Sequence, residues 1–185
     1  MSYQDNTKPI RRKDGNLNPK DEWETPRPLF DELDKEFHFN ADPCASISNY
    51  KCPAWADKTH DGLSFEWTEW IEVFDNSGCN GTFINPSVFC NPPYSRGNIE
   101  KWVKKSYEES QKGCTVVMLL PVATGTVVWH DVIFPHASEI RFIRGRIKFT
   151  LNGVEKGTPR FDSAVVIFRP GIIQGKFKYA SVRAK

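Results

Sequence analysis

Thr115-Val116-Val117-Met118-Leu119-Leu120 is the feature that most narrows what this chain can become. An uninterrupted apolar run of strand length, rich in β-branched residues, suits a strand covered on both faces by helices. Ser163-Ala164-Val165-Val166-Ile167-Phe168 has the same character, and Glu139-Ile140-Arg141-Phe142-Ile143 and Arg146-Ile147-Lys148-Phe149-Thr150 alternate as strands do. Between them lie helical patterns. Leu29, Phe30, Leu33 and Phe37 form one helical stripe, and Ile99, Trp102, Val103 and Tyr107 form another, which Asn98 can cap and Gly113 closes. A short helix over 126–134, halted by Pro135, completes the set. Helices alternating with buried strands predict an α/β mixed sheet, and the polar loop after residue 150 predicts a C-terminal β-hairpin.

At 185 residues the chain fits one domain with a sizeable core. The expected layout is a flexible arm over residues 1–20, a domain over 21–170 and a C-terminal tail over 171–185. No stretch has the apolar length of a membrane span or a signal peptide, so a cytoplasmic protein is expected. Five cysteines form no C-x-x-C pair and the four histidines are scattered, so no metal site and no disulfide framework are expected. A net charge of +2 does not by itself announce a nucleic-acid partner. Arg141, Arg144, Arg146 and Lys148 nevertheless cluster as phosphate contacts do, whereas Lys101, Lys104, Lys105 and Lys112 read as a solvated helix face.

The sharpest chemical signal is Asn91-Pro92-Pro93-Tyr94, which follows the apolar run Ser87-Val88-Phe89-Cys90 and precedes a helix. That position is the carboxyl end of a strand, where open α/β sheets bind ligands. The Asn91 side-chain oxygen and the Pro92 carbonyl offer two acceptors for the two N–H bonds of a conjugated amino group. Such an amine is a poor nucleophile until its lone pair leaves the ring. Pro92 and Pro93 fix φ and remove competing donors, and Tyr94 offers a face on which an unstacked base can rest. A duplex base would have to be flipped out to reach it. The neighbouring Asn85-Pro86-Ser87 step is an ordinary turn by comparison. A second element, Asp42-Pro43-Cys44-Ala45, ends the short alternating segment that starts at Phe37, with Asp42 able to accept from a polar ligand group. Upstream, Thr25 is a suitable N-cap and Pro26 a suitable first helical residue.

Trp23-x-Thr25-Pro26, Asp42-Pro43-Cys44-Ala45, Asp61-Gly62-Leu63, Asn91-Pro92-Pro93-Tyr94-Ser95, Leu119-Leu120-Pro121 and Gly145-Arg146-Ile147-Lys148-Phe149 together resemble the phage-type DNA N6-adenine methyltransferases, a Dam-like family. The resemblance implies a reduced class I S-adenosylmethionine-dependent methyltransferase sheet, Rossmann-like, with S-adenosyl-L-methionine as donor and double-stranded DNA as partner. It further implies that Trp23, Thr25, Pro26, Asp42, Cys44, Ala45 and Asp61 surround the cofactor. Asn91, Pro92, Pro93 and Tyr94 would form the catalytic loop, and Arg144, Arg146 and Lys148 would meet the DNA. One departure stands out. Where the family carries an Arg and an Asp in an A-R-T-D-T-like stretch, this chain has Ala123 and Gly125. That departure supports a catalytically silent binding module as a second reading. Because an Asn-Pro-Pro-Tyr loop also serves enzymes acting on RNA guanine, cytosine N4 or a protein glutamine, those stand beside the adenine methyltransferase too.

Overall fold

The computed structural model describes residues 21, 23–76, 86–95, 97–155, 157, 159–171 and 178–183. The expected arm over 1–20 and the apolar run Gly81-Thr82-Phe83-Ile84 lie outside the described residues.

Seven strands form one sheet in the order β2-β1-β3-β4-β8-β5-β9. They are β1 (Ala41–Asp42), β2 (Ala54–Trp55), β3 (Ser87–Cys90), β4 (Thr115–Pro121), β5 (Glu139–Arg144), β8 (Ser163–Phe168) and β9 (Lys178–Arg183). The strands β2, β1, β3 and β4 run parallel, while β8 is antiparallel to both of its neighbours, β4 and β5. The long apolar runs take the central positions because only there are both faces covered. Val116, Met118 and Leu120 of β4 join Ala164, Val166 and Phe168 of β8 in the core on one side of the sheet. Val117, Leu119, Val165 and Ile167 enter the core on the other side.

Helix α1 (Arg27–Phe37) lays Leu29, Phe30, Leu33 and Phe37 on that second side. The first side is covered by α2 (Trp67–Asn76) and α3 (Asn98–Gln111), through residues that include Trp67, Ile71, Trp102 and Val103. Beside them packs a π-helical segment, Trp129–Ile133, which continues into α4 (Phe134–His136). Pro135 does not halt this helix in front of itself. A wider turn, with the Phe134 N–H bonded to the Trp129 carbonyl, carries the chain past the residue that has no donor.

Four other expectations meet different local structure. The helix runs through Phe37, and His38 reverses the chain in a left-handed conformation, so the strand begins only at Ala41. Phe37 and Phe39 both turn inward and stack at 5.8 Å, although one ends the helix and the other follows the left-handed His38. Asn98 does not cap α3, because it is already helical and its amide reaches the Ser95 hydroxyl. Residues 146–150 form no hairpin with β8, both of whose edges are taken by β4 and β5. The hairpin is instead a small separate one, β6 (Thr150–Leu151) with β7 (Val154–Glu155). Finally, the segment expected as a tail contributes β9, paired in parallel with β5 across six residues.

The basic helix face is held by ion pairs. Lys104 pairs with Glu100, while Lys105 and Lys112 converge on the fully buried Glu109, whose carboxylate also accepts the Trp67 amide. Arg141 is likewise committed, bonded to Glu36 and Glu139.

Gly62 shows how one motif supports another. A Cβ there would sit 2.1 Å from the Pro43 carbonyl oxygen, so the Asp61-Gly62-Leu63 turn lies directly against the turn after β1. Gly62→Ala is expected to lower unfolding stability by about 1–3 kcal/mol in denaturant titration, since backbone has to move to admit the methyl. An unchanged midpoint would mean that the contact relaxes freely.

Candidate active site

The parallel strands end on one side of the sheet, where Asp42 closes β1 and Asn91 follows β3. An open cleft of about 330 Å³ lies there, lined by Trp23, Glu24, Thr25, Asp42, Cys44 and Asn91 among others, with Lys51 on its wall.

Asn91 has a defined orientation. Its Nδ2 donates to the Trp23 carbonyl at 3.0 Å, and its Oδ1 accepts the Tyr94 hydroxyl at 2.7 Å. A carbonyl can only accept, so the nitrogen must face Trp23 and the oxygen must face Tyr94. Oδ1 keeps a second lone pair for another donor. The Tyr94 hydroxyl also lies 3.1 Å from the Leu119 carbonyl. Burial pushes its pKa well above the usual phenol value, so it stays a neutral donor. The Tyr94 ring meets Phe149 and Phe161 edge-on, and Trp23 stacks on both. Pro92 is buried and Pro93 half-buried.

Thr25 does not do what its sequence position suggests. Pro26 occupies the cap position of α1 without a side-chain cap bond. The Thr25 hydroxyl is left buried with no hydrogen-bond partner, on the wall of the cleft. A buried hydroxyl is expected to be satisfied, so this one points to a bound polar group.

Asp42 is 5% exposed. Burial pushes its carboxyl up to about 7, against the opposing pull of the Cys44 amide and the Lys51 charge. Desolvation in turn lowers the Lys51 pKa. Cys44 Sγ lies 3.6 Å from Cys90 Sγ, and burial first, then the neighbouring Cys90, raises its pKa. Cys44 is therefore a protonated thiol on the cleft lining, packed against Cys90. Ala45 is buried just behind, its N–H bonded to the Ala56 carbonyl.

Asp61 stands apart from this group. It is exposed, has φ 37°, and caps its own turn through the Leu63 amide, outside the cleft lining. Arg144, Arg146 and Lys148 are exposed, with Ile147 and Phe149 pointing inward between them. Arg146 lies 3.8 Å from Asp162 and Lys148 lies 3.4 Å from Glu155, loose surface pairs that leave both cations usable. Glu24, Lys51, Phe149 and Phe161 were not singled out by sequence reasoning. For Phe149 a signal existed, since it ends the Gly145–Phe149 motif. Lys51 and Glu24 carry no local signature, because their roles depend on segments far away in sequence. Among the described residues no group of His, Cys, Asp and Glu can hold a metal, and no helix is long and apolar enough to cross a membrane.

Fold and site together define a mixed α/β protein with a ligand cleft at the carboxyl ends of its parallel strands. The chain belongs to the DNA N-6-adenine-methyltransferase (Dam) family, whose model matches residues 14–180. No curated protein matches it in sequence. Among solved structures it is similar to a Listeria monocytogenes protein described as a class I S-adenosylmethionine-dependent methyltransferase. Identity is 10%, coverage is 70% of this chain and 42% of that one, and the TM-score is 0.36. The chain thus spans less than half the length of that protein.

Burial of Asp42 has a consequence for stability. An unfolded Asp releases its proton near 3.8, whereas the folded carboxyl holds it up to about 7. The folded state binds the proton more tightly, so this contribution is full at low pH and is lost as pH rises through about 7. Between about pH 5 and about pH 8, the melting temperature of the unliganded wild type should fall relative to Asp42→Asn. Parallel curves would show that Asp42 ionises freely in the fold.

Proposed function

We propose that the protein transfers a methyl group from S-adenosylmethionine to the N6 amino group of adenine in double-stranded DNA, with the target base flipped into the pocket beside Asn91. The observation that carries this reading is the oriented Asn91 amide: its oxygen is turned to Tyr94 by two fixed partners and retains an acceptor site. Held against one N–H of the base, that oxygen draws electron density toward the amino nitrogen. The Pro92 carbonyl would take the other N–H, and the rigid Pro-Pro step keeps both acceptors aimed. Catalysis of this kind is orientation and electrostatics, with no strong general base.

The donor supplies an electrophilic methyl on a sulfonium centre. The cleft residues suit it: the unpartnered Thr25 hydroxyl can bind a polar group, Asp42 when ionised can accept from an ammonium, and Lys51 can meet a carboxylate. Trp23 and Cys44 line the walls around them, Pro26 and Ala45 would support those walls, and Asp61, outside the lining, would reach only a part of the donor that extends beyond the cleft. Tyr94, braced by Phe149 and Phe161, would support the flipped base. Arg144, Arg146 and Lys148 would hold the phosphates on the exposed side of the same segment.

A silent binding module is favoured by one observation. Ala123 and Gly125 leave the turn after β4 without charge, its Thr126 bonding the Ala123 carbonyl and its Val122 N–H donating to the Asp162 carbonyl.

Incubation with tritiated S-adenosylmethionine and DNA, RNA or protein separates the readings. Label is expected in DNA adenine, and label confined to RNA or protein would overturn the substrate. Donor binding without transfer to any of them would favour the silent module. Asn91→Ala should lose at least about 100-fold in transfer while donor affinity in calorimetry changes little. Equal losses of both would make Asn91 a structural residue. Arg144→Ala, Arg146→Ala and Lys148→Ala should each flatten the salt dependence of DNA binding by about one unit of slope. Unchanged slopes would remove these residues from the DNA surface.

A further inference from the structure

The pairing of Glu24 with the small hairpin of residues 150–155 is not explained by the fold. Glu24 is 8% exposed, a costly place for a carboxylate unless its oxygens are bonded. They are. The Thr150 hydroxyl and the Asn152 amide each donate at 3.0 Å, and the Gly153 amide approaches at 3.5 Å. Backbone bonds reinforce this, Glu24 N–H to the Thr150 carbonyl at 2.9 Å and Thr150 N–H to the Glu24 carbonyl at 3.1 Å.

The hairpin needs an anchor. Its strands are two residues long and belong to no larger sheet, and a two-stranded hairpin is marginal in water. Asn152 and Gly153 have φ 52° and 73°, the tight primed turn whose amides are free to meet a carboxylate. At the tip Val154 is 61% exposed. On one side of Glu24 lies Trp23, whose carbonyl orients Asn91. On the other side of Thr150 lies Phe149, stacked on Trp23 and edge-on to Tyr94. Lys148 and Arg146 continue outward from there.

We propose that Glu24 is a positioning residue for methyl transfer, fixing the hairpin of residues 150–155 and the basic strip before it at a set distance from Asn91. The inference rests on the reading of the site as a DNA adenine methyltransferase and adds the part that registers duplex against catalytic loop. DNA held by the strip and the hairpin then delivers its extruded base to Asn91 in one geometry. Release of the hairpin leaves the donor cleft standing but blurs that geometry, and misplacement by about 1 Å can cost on the order of 100-fold in rate.

The test compares wild type, Glu24→Ala, Glu24→Gln and Thr150→Val, each first checked for a cooperative melt. Single-turnover transfer to DNA, calorimetric S-adenosylmethionine affinity and hydrogen exchange of the 148–155 peptide are measured. Glu24→Ala should slow transfer on the order of 100-fold with donor affinity within about threefold, and should speed exchange in the hairpin. Glu24→Gln, which keeps an acceptor oxygen, should recover at least about tenfold of the rate. Thr150→Val, which keeps the shape and loses one bond, should move both readouts in the same direction by a smaller amount, and it carries the test if Glu24→Ala does not fold. Donor affinity that falls as far as the rate would make Glu24 a cofactor ligand and overturn the proposal. Unchanged exchange, or an unchanged rate in variants of an active wild type, would also overturn it. Wild type that binds the donor yet labels no DNA, with exchange still responding to Glu24, would instead defeat the functional reading beneath it.

Discussion

The hydrogen bond from Asn91 to the Trp23 carbonyl joins the two parts of the molecule that build the candidate site. One is the end of a central strand, and the other is the segment that enters the first helix. Without that bond the Asn91 amide could rotate and present nitrogen where oxygen is needed, and two donors would then face each other at the site. With it, Tyr94 finds an acceptor, the second lone pair of Oδ1 stays available, and the aromatic group of Trp23, Phe149 and Phe161 closes around the loop. A single backbone acceptor thereby sets the polarity of the pocket.

The same short N-terminal segment serves the other side of the cleft. Trp23 orients the amide, Glu24 ties down the hairpin, and Thr25 leaves an unsatisfied hydroxyl on the wall. Three consecutive residues thus address three different neighbours. Each role follows from an extended conformation, in which successive side chains and carbonyls point to different surroundings. A helix beginning one residue earlier would have consumed the Thr25 hydroxyl in capping.

Much of the fold could be read from the chain because hydrophobic pattern reports burial directly. The runs at 115–120 and 163–168 are central strands, the stripe from Leu29 to Phe37 is a helix face, and Asn91 does follow a strand. Where the reading strayed, tertiary pairing decided. Residues 146–150 alternate as a strand would, and their inward and outward faces are as expected, yet both edges of β8 are taken and Thr150 pairs with Glu24 and Glu155 instead. β9 was invisible because its partner, β5, lies far back in the sequence. At the site, Asn91, Thr25 and Asp42 were legible as types in motifs, whereas Glu24 and Lys51 acquire meaning only once distant segments meet. The unpaired state of Thr25 ran opposite to local propensity, the kind of conflict expected where binding competes with helix capping.

The central claim is that the oriented Asn91 oxygen activates an adenine amino group. It is tested most directly by expressing the protein in a host without its own adenine methylation and sequencing the genomic DNA for modified bases. The account predicts N6-methyladenine with the wild-type protein and none with a folded, donor-binding Asn91→Ala variant. Unmodified DNA from wild type that binds the donor, or equal modification by the variant, would contradict it.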